Sequence, residues 1–503
     1  MTLTSFYFFV FFAVLLTVYY SVPQRFKNLV LLTFSTVFIY SAGGISCLAF
    51  LSFTALTVYC GGGYIYAEKD LGRKKCVTAA VLSINFIILF VTKYLGFFNP
   101  LFKIVGLSRP DFLNIIVPLG ISFYTLQITS YLLDIYFQSI EPEKNIITFL
   151  TFSLYFPQII SGPISRYGDL GAEIAKEKHF DYREVTFGLQ RMIWGLFKKL
   201  VIAERIGIIV GTVYSDYETF SGAYIIFAVL LFTVQLYADF SGYMDIAIGI
   251  SQALGIRLSE NFRTPFFSVS ESEFWRRWHI TLGAWFRDYI FYPLQKSRPF
   301  LSLMRKAKKK YPKRIAKLIP MTLSLFFVWF LIGLWHGGSW NYIVGSGLLH
   351  WLYIVSGEWL QPVFDKVKSA LRIDKDNVLY TWFARIRTYI LFSSGLLFFR
   401  SLRLKSAISM IGCIFVKNNE LFSKSGLLNL GLDGPDYKVL LVAMLILAAV
   451  EIINERGHSL RELVSRRNIV LRWVLYLALI FAVIVFGMYG PDFIPGQFIY
   501  EQF

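Results

Sequence analysis

Charge is what this chain lacks. Only 16% of its 503 residues are Asp, Glu, Lys or Arg, against roughly 25% in ordinary soluble domains. A string of soluble domains is therefore excluded, and a polytopic helical membrane protein fits. Cysteine is scarce as well. Cys47, Cys60, Cys76 and Cys413 show neither paired nor metal-ligand spacing, so neither a disulfide framework nor a zinc site is indicated and no metal is expected. The apolar run over residues 6–20 lacks a basic leader and a small-residue cleavage site, so it reads as a retained span and not a cleaved signal. No internal repeat or low-complexity tract is visible, and residues 1–503 read as one membrane-embedded domain.

Acids are outnumbered: 32 face 50 basic residues, a net charge of +18. The basic residues do not form a nucleic-acid footprint. Ten of them lie in residues 296–317, which hold no acid, and others flank apolar runs, as Arg73-Lys74-Lys75 and Arg466-Arg467 do. Basic residues beside spans mark cytoplasmic loops and contact with anionic lipid. No nucleic-acid partner is expected.

In place of charge stand apolar runs, near residues 3–22, 27–42, 44–66, 77–98, 114–136, 186–212, 222–254, 318–336, 340–360, 380–400, 438–454 and 472–490. The fold class predicted is all-α and polytopic, with about 11–12 transmembrane helices of ~20 residues each plus re-entrant and interfacial helices. Residues 149–164 are interrupted by Pro157, Gly162 and Pro163 and fit a re-entrant segment buried in protein. If the basic loops 296–317 and 456–472 face the cytoplasm, the four runs between them are consistent. The last span then leads to an external tail at 491–503.

Residues 318–357 contain no Asp, Glu, Lys or Arg, and Trp335-His336-Gly337 stands in their middle. An ionisable ring at membrane depth is costly without partners, which makes His336 a functional candidate. The alternative is a ring satisfied by neighbouring helices or placed at a span end. Counted from Lys317 at ~1.5 Å per residue, a straight helix carries His336 toward the far side of the bilayer. A central site then needs a tilt, a break at Pro320 or a deeper start.

Residues 271–294 read as one amphipathic helix, opened by the capping-box spacing of Ser270 and Glu273 and closed at Pro293. Trp275, Trp278, Leu282, Trp285 and Tyr289 make an aromatic face expected at headgroup level, with Arg276, His279, Gly283 and Arg287 on another face. The arginines either anchor the helix to lipid or bind a phosphorylated ligand, since their fork of donors matches phosphate oxygens. Asp239 and Asp245 lie in the apolar stretch 224–254, where carboxylates are expensive. They either tie helices together or meet a ligand.

Six motifs in order carry a resemblance. They are Gly120-Ile121-Ser122-Phe123-Tyr124, Glu141-Pro142-Glu143-Lys144-Asn145, Phe156-Pro157-Gln158 with Ser161-Gly162-Pro163, and Asp239-Phe240-Ser241-Gly242-Tyr243-Met244-Asp245. Then come Phe274-Trp275-Arg276-Arg277-Trp278-His279, followed by Trp285-Phe286-Arg287-Asp288-Tyr289, and Gly333-Leu334-Trp335-His336-Gly337. Together they resemble the membrane-bound O-acyltransferase superfamily, in its bacterial alginate O-acetyltransferase-like branch. The resemblance implies that His336 is the essential catalytic histidine. A base with a reference pKa of ~6.5 suits removal of a hydroxyl proton. His279 stands where eukaryotic relatives carry asparagine, which implies substrate orientation and leaves open a share in the proton work. Arg276, Arg287, Trp278, Trp335, Asp239 and Asp245 become candidate substrate-binding residues. His350 resembles a packing position, and Met244 replaces a serine common in the branch.

The ending Phe498-x-Tyr500-x-x-Phe503 resembles the C-terminal motif of the small partner protein of teichoic acid D-alanylation. That makes Tyr500 a candidate acyl relay; the alternative is an aromatic tail docked on the membrane. The activity implied is transfer of an acetyl group from a cytoplasmic thioester, acetyl-CoA, toward hydroxyls of an extracellular or cell-wall polysaccharide. No cofactor would be held permanently. An SGNH-type esterase-like partner and a bacterial plasma-membrane location go with it. D-alanyl transfer to teichoic acid is the alternative in the same class. A polysaccharide transporter is the alternative in another, and its paired broken helices are not seen.

Overall fold

The computed structural model describes residues 1–94, 117–374, 377–418, 420–489 and 498–499. Among them the secondary structure is helical, with one isolated β-bridge between Phe262 and Trp278. A helix lies on every apolar run read from the sequence, and five are long and apolar enough to cross a membrane. These are Gln24–Ala67, Leu71–Tyr94, Ala223–Ala253, Lys313–Gly337 and Ile469–Phe486. The protein is an all-α, polytopic membrane protein.

Two details follow the sequence closely. The helix Lys27–Ala67 is kinked at Gly44, whose φ of 71° is open to glycine and strained for other residues. It thus divides where the two runs 27–42 and 44–66 were separated. The broken segment at 149–164 forms two short helices, Ile146–Ser153 and Phe156–Ile159, and its residues are buried except for a half-buried Leu150.

The chain separates into two compact units. One holds Met1–Leu196, Gly242–Glu260 and Phe498; the other holds Phe197–Ser241 and Asn261 onward through the helix Ile469–Phe486. The helix Ala223–Ala253 contributes its first part to the second unit and its last part to the first. In the first unit, Tyr131, Phe149 and Tyr167 pack ring on ring at 4.8 and 4.9 Å. In the same unit the helix Tyr182–Leu196 approaches the end of Ala223–Ala253 through glycines. A Cβ on Gly188 would lie 2.5 Å from the Gly249 oxygen, and one on Gly195 would lie 2.5 Å from that of Gly242. Small residues at such crossings let backbones close up where no water drives association.

The second unit is built the same way. A Cβ on Gly333 would lie 2.7 Å from the Ile343 Cα, and one on Gly347 would lie 2.6 Å from the Trp329 oxygen. The helix Lys313–Gly337 therefore lies directly on the widened turn Ile343–Leu348 that leads into Leu349–Ala370. Pro320 does not end this helix, which runs unbroken from Lys313 to a left-handed cap at Gly338, φ 62°.

One expectation fails. Residues 271–294 do not form a single interfacial helix. The capping box is present, with Ser270 Oγ accepting from the Glu273 N–H at 3.2 Å and the Glu273 carboxylate accepting from the Val269 N–H at 3.0 Å. The helix it opens, Glu271–Arg277, then stops. Trp278 is extended, His279 is left-handed, and a second helix, Ile280–Phe286, follows. The backbone of residues 261–263 takes the freed hydrogen bonds, Arg263 N–H to Arg277 O at 2.9 Å and Ile280 N–H to Asn261 O at 3.0 Å. Pro293 sits in the first turn of a further short helix, Tyr292–Lys296, where a missing N–H goes unfelt. The break also reassigns the faces. Trp278, Trp285, Leu282 and Tyr289 are buried in protein, while Arg276, Gly283 and Arg287 are exposed and His279 is buried.

Candidate functional site

His336 occupies the last turn of the helix Lys313–Gly337 and is 4% exposed. Its ring meets Trp335 at 5.2 Å and stands edge-on to Phe399 at 5.5 Å. Gly337 lets this turn seat, because a Cβ there would strike the Tyr342 ring at 2.3 Å. The motif Gly333-x-Trp335-His336-Gly337 thus combines two close-approach glycines with the two aromatic rings that they help to place.

His279 is 2% exposed, with Phe240 at 4.8 Å and Trp335 at 6.1 Å. The break at Trp278–His279 turns its ring inward, away from the exposed arginines on either side. Burial holds its pKa well below the usual range for histidine, and any charge on the nearby His336 would lower it further. His279 is therefore neutral. The structure brings His336, His279 and Trp335 together. Trp278 packs behind them on Phe262 at 5.0 Å and Phe392 at 4.9 Å.

The other described candidates have surroundings of their own. Arg276 is exposed, and Arg287 pairs with its neighbour Asp288 at 2.9 Å. Asp239 is bound to Lys199 Nζ at 2.7 Å, and the same ammonium meets Glu204 at 2.7 Å. Asp245 pairs with Arg191 at 2.8 Å, in the unit that also holds Glu260, the second carboxylate on that guanidinium. Six residues of α-helix turn through roughly 240° beyond one full circle, so the two aspartates leave the helix on different faces. Tyr500 lies outside the described residues.

Lys199 is a residue that composition alone could have flagged, since Lys198-Lys199 interrupts the apolar run 186–212. Both fall on the widened turn Phe197–Ala203 and both are buried, Lys198 donating to Ser241 Oγ at 2.7 Å. Removing one partner from a buried ion cluster leaves uncompensated charge, at a cost of about 3–5 kcal/mol. Lys199→Met is therefore expected to lower resistance to thermal unfolding in detergent sharply. Asp239→Asn in the same background should recover part of the loss. Unchanged unfolding of Lys199→Met would show that the cluster is not a structural tie.

Two further groupings gave no sequence signal. Glu271 and His350 are buried partners, Oε1 to Nδ1 at 2.6 Å, with the Trp275 indole N–H on the same oxygen at 3.2 Å. Asn261 is fully buried beside His279, Oδ1 to Nδ1 at 3.4 Å.

Bilayer-length apolar helices define an integral membrane protein. The family profile of membrane-bound O-acyltransferases matches residues 138–305. The probable alginate O-acetylase AlgI of Pseudomonas putida is 30% identical over 446 residues, 88% of this chain and 85% of that protein. The peptidoglycan O-acetyltransferase of Helicobacter pylori is 27% identical over 406 residues, 76% of this chain and 72% of its own. The teichoic acid D-alanyltransferase of Bacillus subtilis is 31% identical over 243 residues, 47% of this chain and 58% of its own. The chain belongs to the membrane-bound O-acyltransferase family, and it is an O-acyltransferase.

Proposed function

We propose that this enzyme moves an acetyl group from acetyl-CoA, taken from the cytoplasm, to hydroxyls of a polysaccharide outside a bacterial plasma membrane. The observation that carries this reading is the pair of buried imidazoles, His279 and His336, the latter in the last turn of a span and inside a sequence stretch, 318–357, that holds no Asp, Glu, Lys or Arg. In the reaction the acceptor oxygen attacks the thioester carbonyl carbon while His336 takes the hydroxyl proton. The new C–O bond forms as the C–S bond breaks, and the departing thiolate recovers the proton from His336. His279 orients the acceptor, and Trp335 walls the site.

Relatives named for alginate and peptidoglycan O-acetylation favour a polysaccharide acceptor and acetyl as the group. The match to a D-alanyltransferase is shorter, and D-alanyl transfer stays the second reading. An SGNH-type esterase-like partner would complete delivery to the polymer; where Tyr500 relays the acyl group, its phenol is the oxygen that attacks the thioester, and a sugar hydroxyl then displaces that phenol. The test is inside-out membrane vesicles given labelled acetyl-CoA. Label in base-labile polymer esters is expected; acylation only from a D-alanyl-charged carrier protein would overturn the reading.

The exposed arginines then serve the donor. Loss of two charge-assisted phosphate contacts should raise the KM for acetyl-CoA by about tenfold or more. The variant is the double replacement of Arg276 and Arg287 by glutamine, scored by initial rates against donor concentration. An unchanged KM, with normal insertion, would return both side chains to lipid anchoring.

A further inference from the structure

His279 adopts a backbone conformation that a residue with a Cβ avoids. Its φ is 45°, in the left-handed region, and such a conformation persists where the surroundings enforce it. Glycine would relax the backbone but remove the ring. What enforces it is Asn261. The Asn261 backbone oxygen accepts from the Ile280 N–H at 3.0 Å. Its side-chain Oδ1 accepts from both the N–H and the hydroxyl of Thr281 at 3.0 Å, and faces His279 Nδ1 at 3.4 Å. Three consecutive residues hang on one asparagine.

The Thr281 bond also settles which way the amide points. A backbone N–H only donates, so the atom facing it is the carbonyl oxygen and not the amide nitrogen. That oxygen offers lone pairs alone, so the 3.4 Å contact is a hydrogen bond only when His279 Nδ1 carries the hydrogen, as the third donor on Oδ1. In a neutral imidazole the proton on Nδ1 leaves Nε2 with a bare lone pair.

We propose that Asn261 is a positioning residue that fixes His279 as the neutral Nδ1–H tautomer, so that Nε2 accepts a hydrogen bond from a polyhydroxylated acceptor. A hydroxyl has one proton to give. The hydroxyl that surrenders its proton to His336 is therefore not the one that donates to His279, and the two rings engage two hydroxyls of one acceptor. This rests on the reading of His336 as base, and it adds a requirement for neighbouring hydroxyls.

The tautomer can be read without turnover. In protein carrying nitrogen-15 histidine, reconstituted in lipid, the His279 ring is identified by its absence from His279→Gln. Its Nδ1 should be protonated and its Nε2 bare, and a protonated Nε2 would overturn the proposal whatever the enzyme's activity. Asn261→Leu removes the acceptor and should mix the tautomers. With alginate oligosaccharides as the acceptor probe, it should also raise the acceptor KM by about tenfold or more and leave the KM for acetyl-CoA unchanged. Wild-type acceptor KM in that variant would also overturn the proposal. Should Asn261→Leu fail to insert, Asn261→Asp decides. Its carboxylate keeps an acceptor in place and should preserve the Nδ1–H tautomer, and loss of that tautomer would count against the role. Failure of the function itself reads differently, as full transfer by a variant lacking His336.

Discussion

His336→Ala is expected to reduce acyl transfer by about 10²–10⁴-fold, the contribution of a positioned general base, while the protein still inserts. The ring sits at the far end of a long helix, against Trp335 and Phe399, with the turn sealed by Gly337 and the Gly338 cap. Those seals belong to neighbouring residues and survive truncation of one side chain. The substitution deletes a proton acceptor and leaves a small void, which costs stability but does not break the helix. His336→Gln fills much of that void with a group that cannot take a proton. It should be as inactive as alanine and closer to wild type in thermal unfolding. Detergent-solubilised yield, unfolding midpoint and initial rate together separate the two effects. A well-inserted His336→Ala that transfers at the wild-type rate would remove His336 from the mechanism.

The visibility of the site in the sequence divides by whether its cause is local. His336 was legible because a charge-free stretch around one ionisable ring is a local anomaly. The break near Pro157 was legible because proline acts on its own backbone, whereas the bend at Gly44 shows in the sequence only as a gap between two spans and is a kink in one long helix. The break at His279 was not legible. No glycine or proline stands there, and the aromatic spacing from Trp275 to Tyr289 continues as though the helix did. Its cause is a strand-like segment, 261–263, that captures the hydrogen bonds of residues 277 and 280. Helical periodicity therefore placed His279 on one face with Arg276 and Arg287, and the structure buries it while exposing them. The aspartates show the same limit. Asp239 and Asp245 were visible as carboxylates in an apolar stretch. Their partners Lys199 and Arg191 lie 40 and 54 positions away, and no spacing rule reaches that far. The Glu271–His350 couple, 79 positions apart, was out of reach for the same reason.

Tyr500→Phe carries the other large expected effect: loss of transfer to the polymer with donor binding intact. The motif Phe498-x-Tyr500-x-x-Phe503 resembles a segment whose tyrosine receives an acyl group in a related system. Tyr500 and Phe503 fall outside the described residues, but Phe498 falls inside them. It is 4% exposed, edge-on to Tyr243 at 4.9 Å and 90°. The motif's first aromatic ring is thus buried in protein, which an aromatic tail spread on lipid would not require. Chemistry favours a phenol as shuttle. Its ester is more reactive than a sugar ester, so the acyl group moves downhill from thioester to phenol ester to polymer. In the first step the phenol oxygen attacks the thioester carbon as its proton passes to a base and the thiolate leaves. In the second a sugar hydroxyl displaces the phenol, which regains a proton. With a reference pKa of ~10, the phenol needs that base close at hand. Tyr500→Phe keeps the ring and deletes the oxygen, so labelled acetyl-CoA should bind with unchanged affinity while no ester reaches the polymer. Wild-type protein quenched during turnover should carry the label on Tyr500 by peptide mass analysis. Normal polymer acylation by Tyr500→Phe, or a C-terminal tag that reacts from the cytoplasmic side alone, would rule the relay out and leave direct transfer under His336.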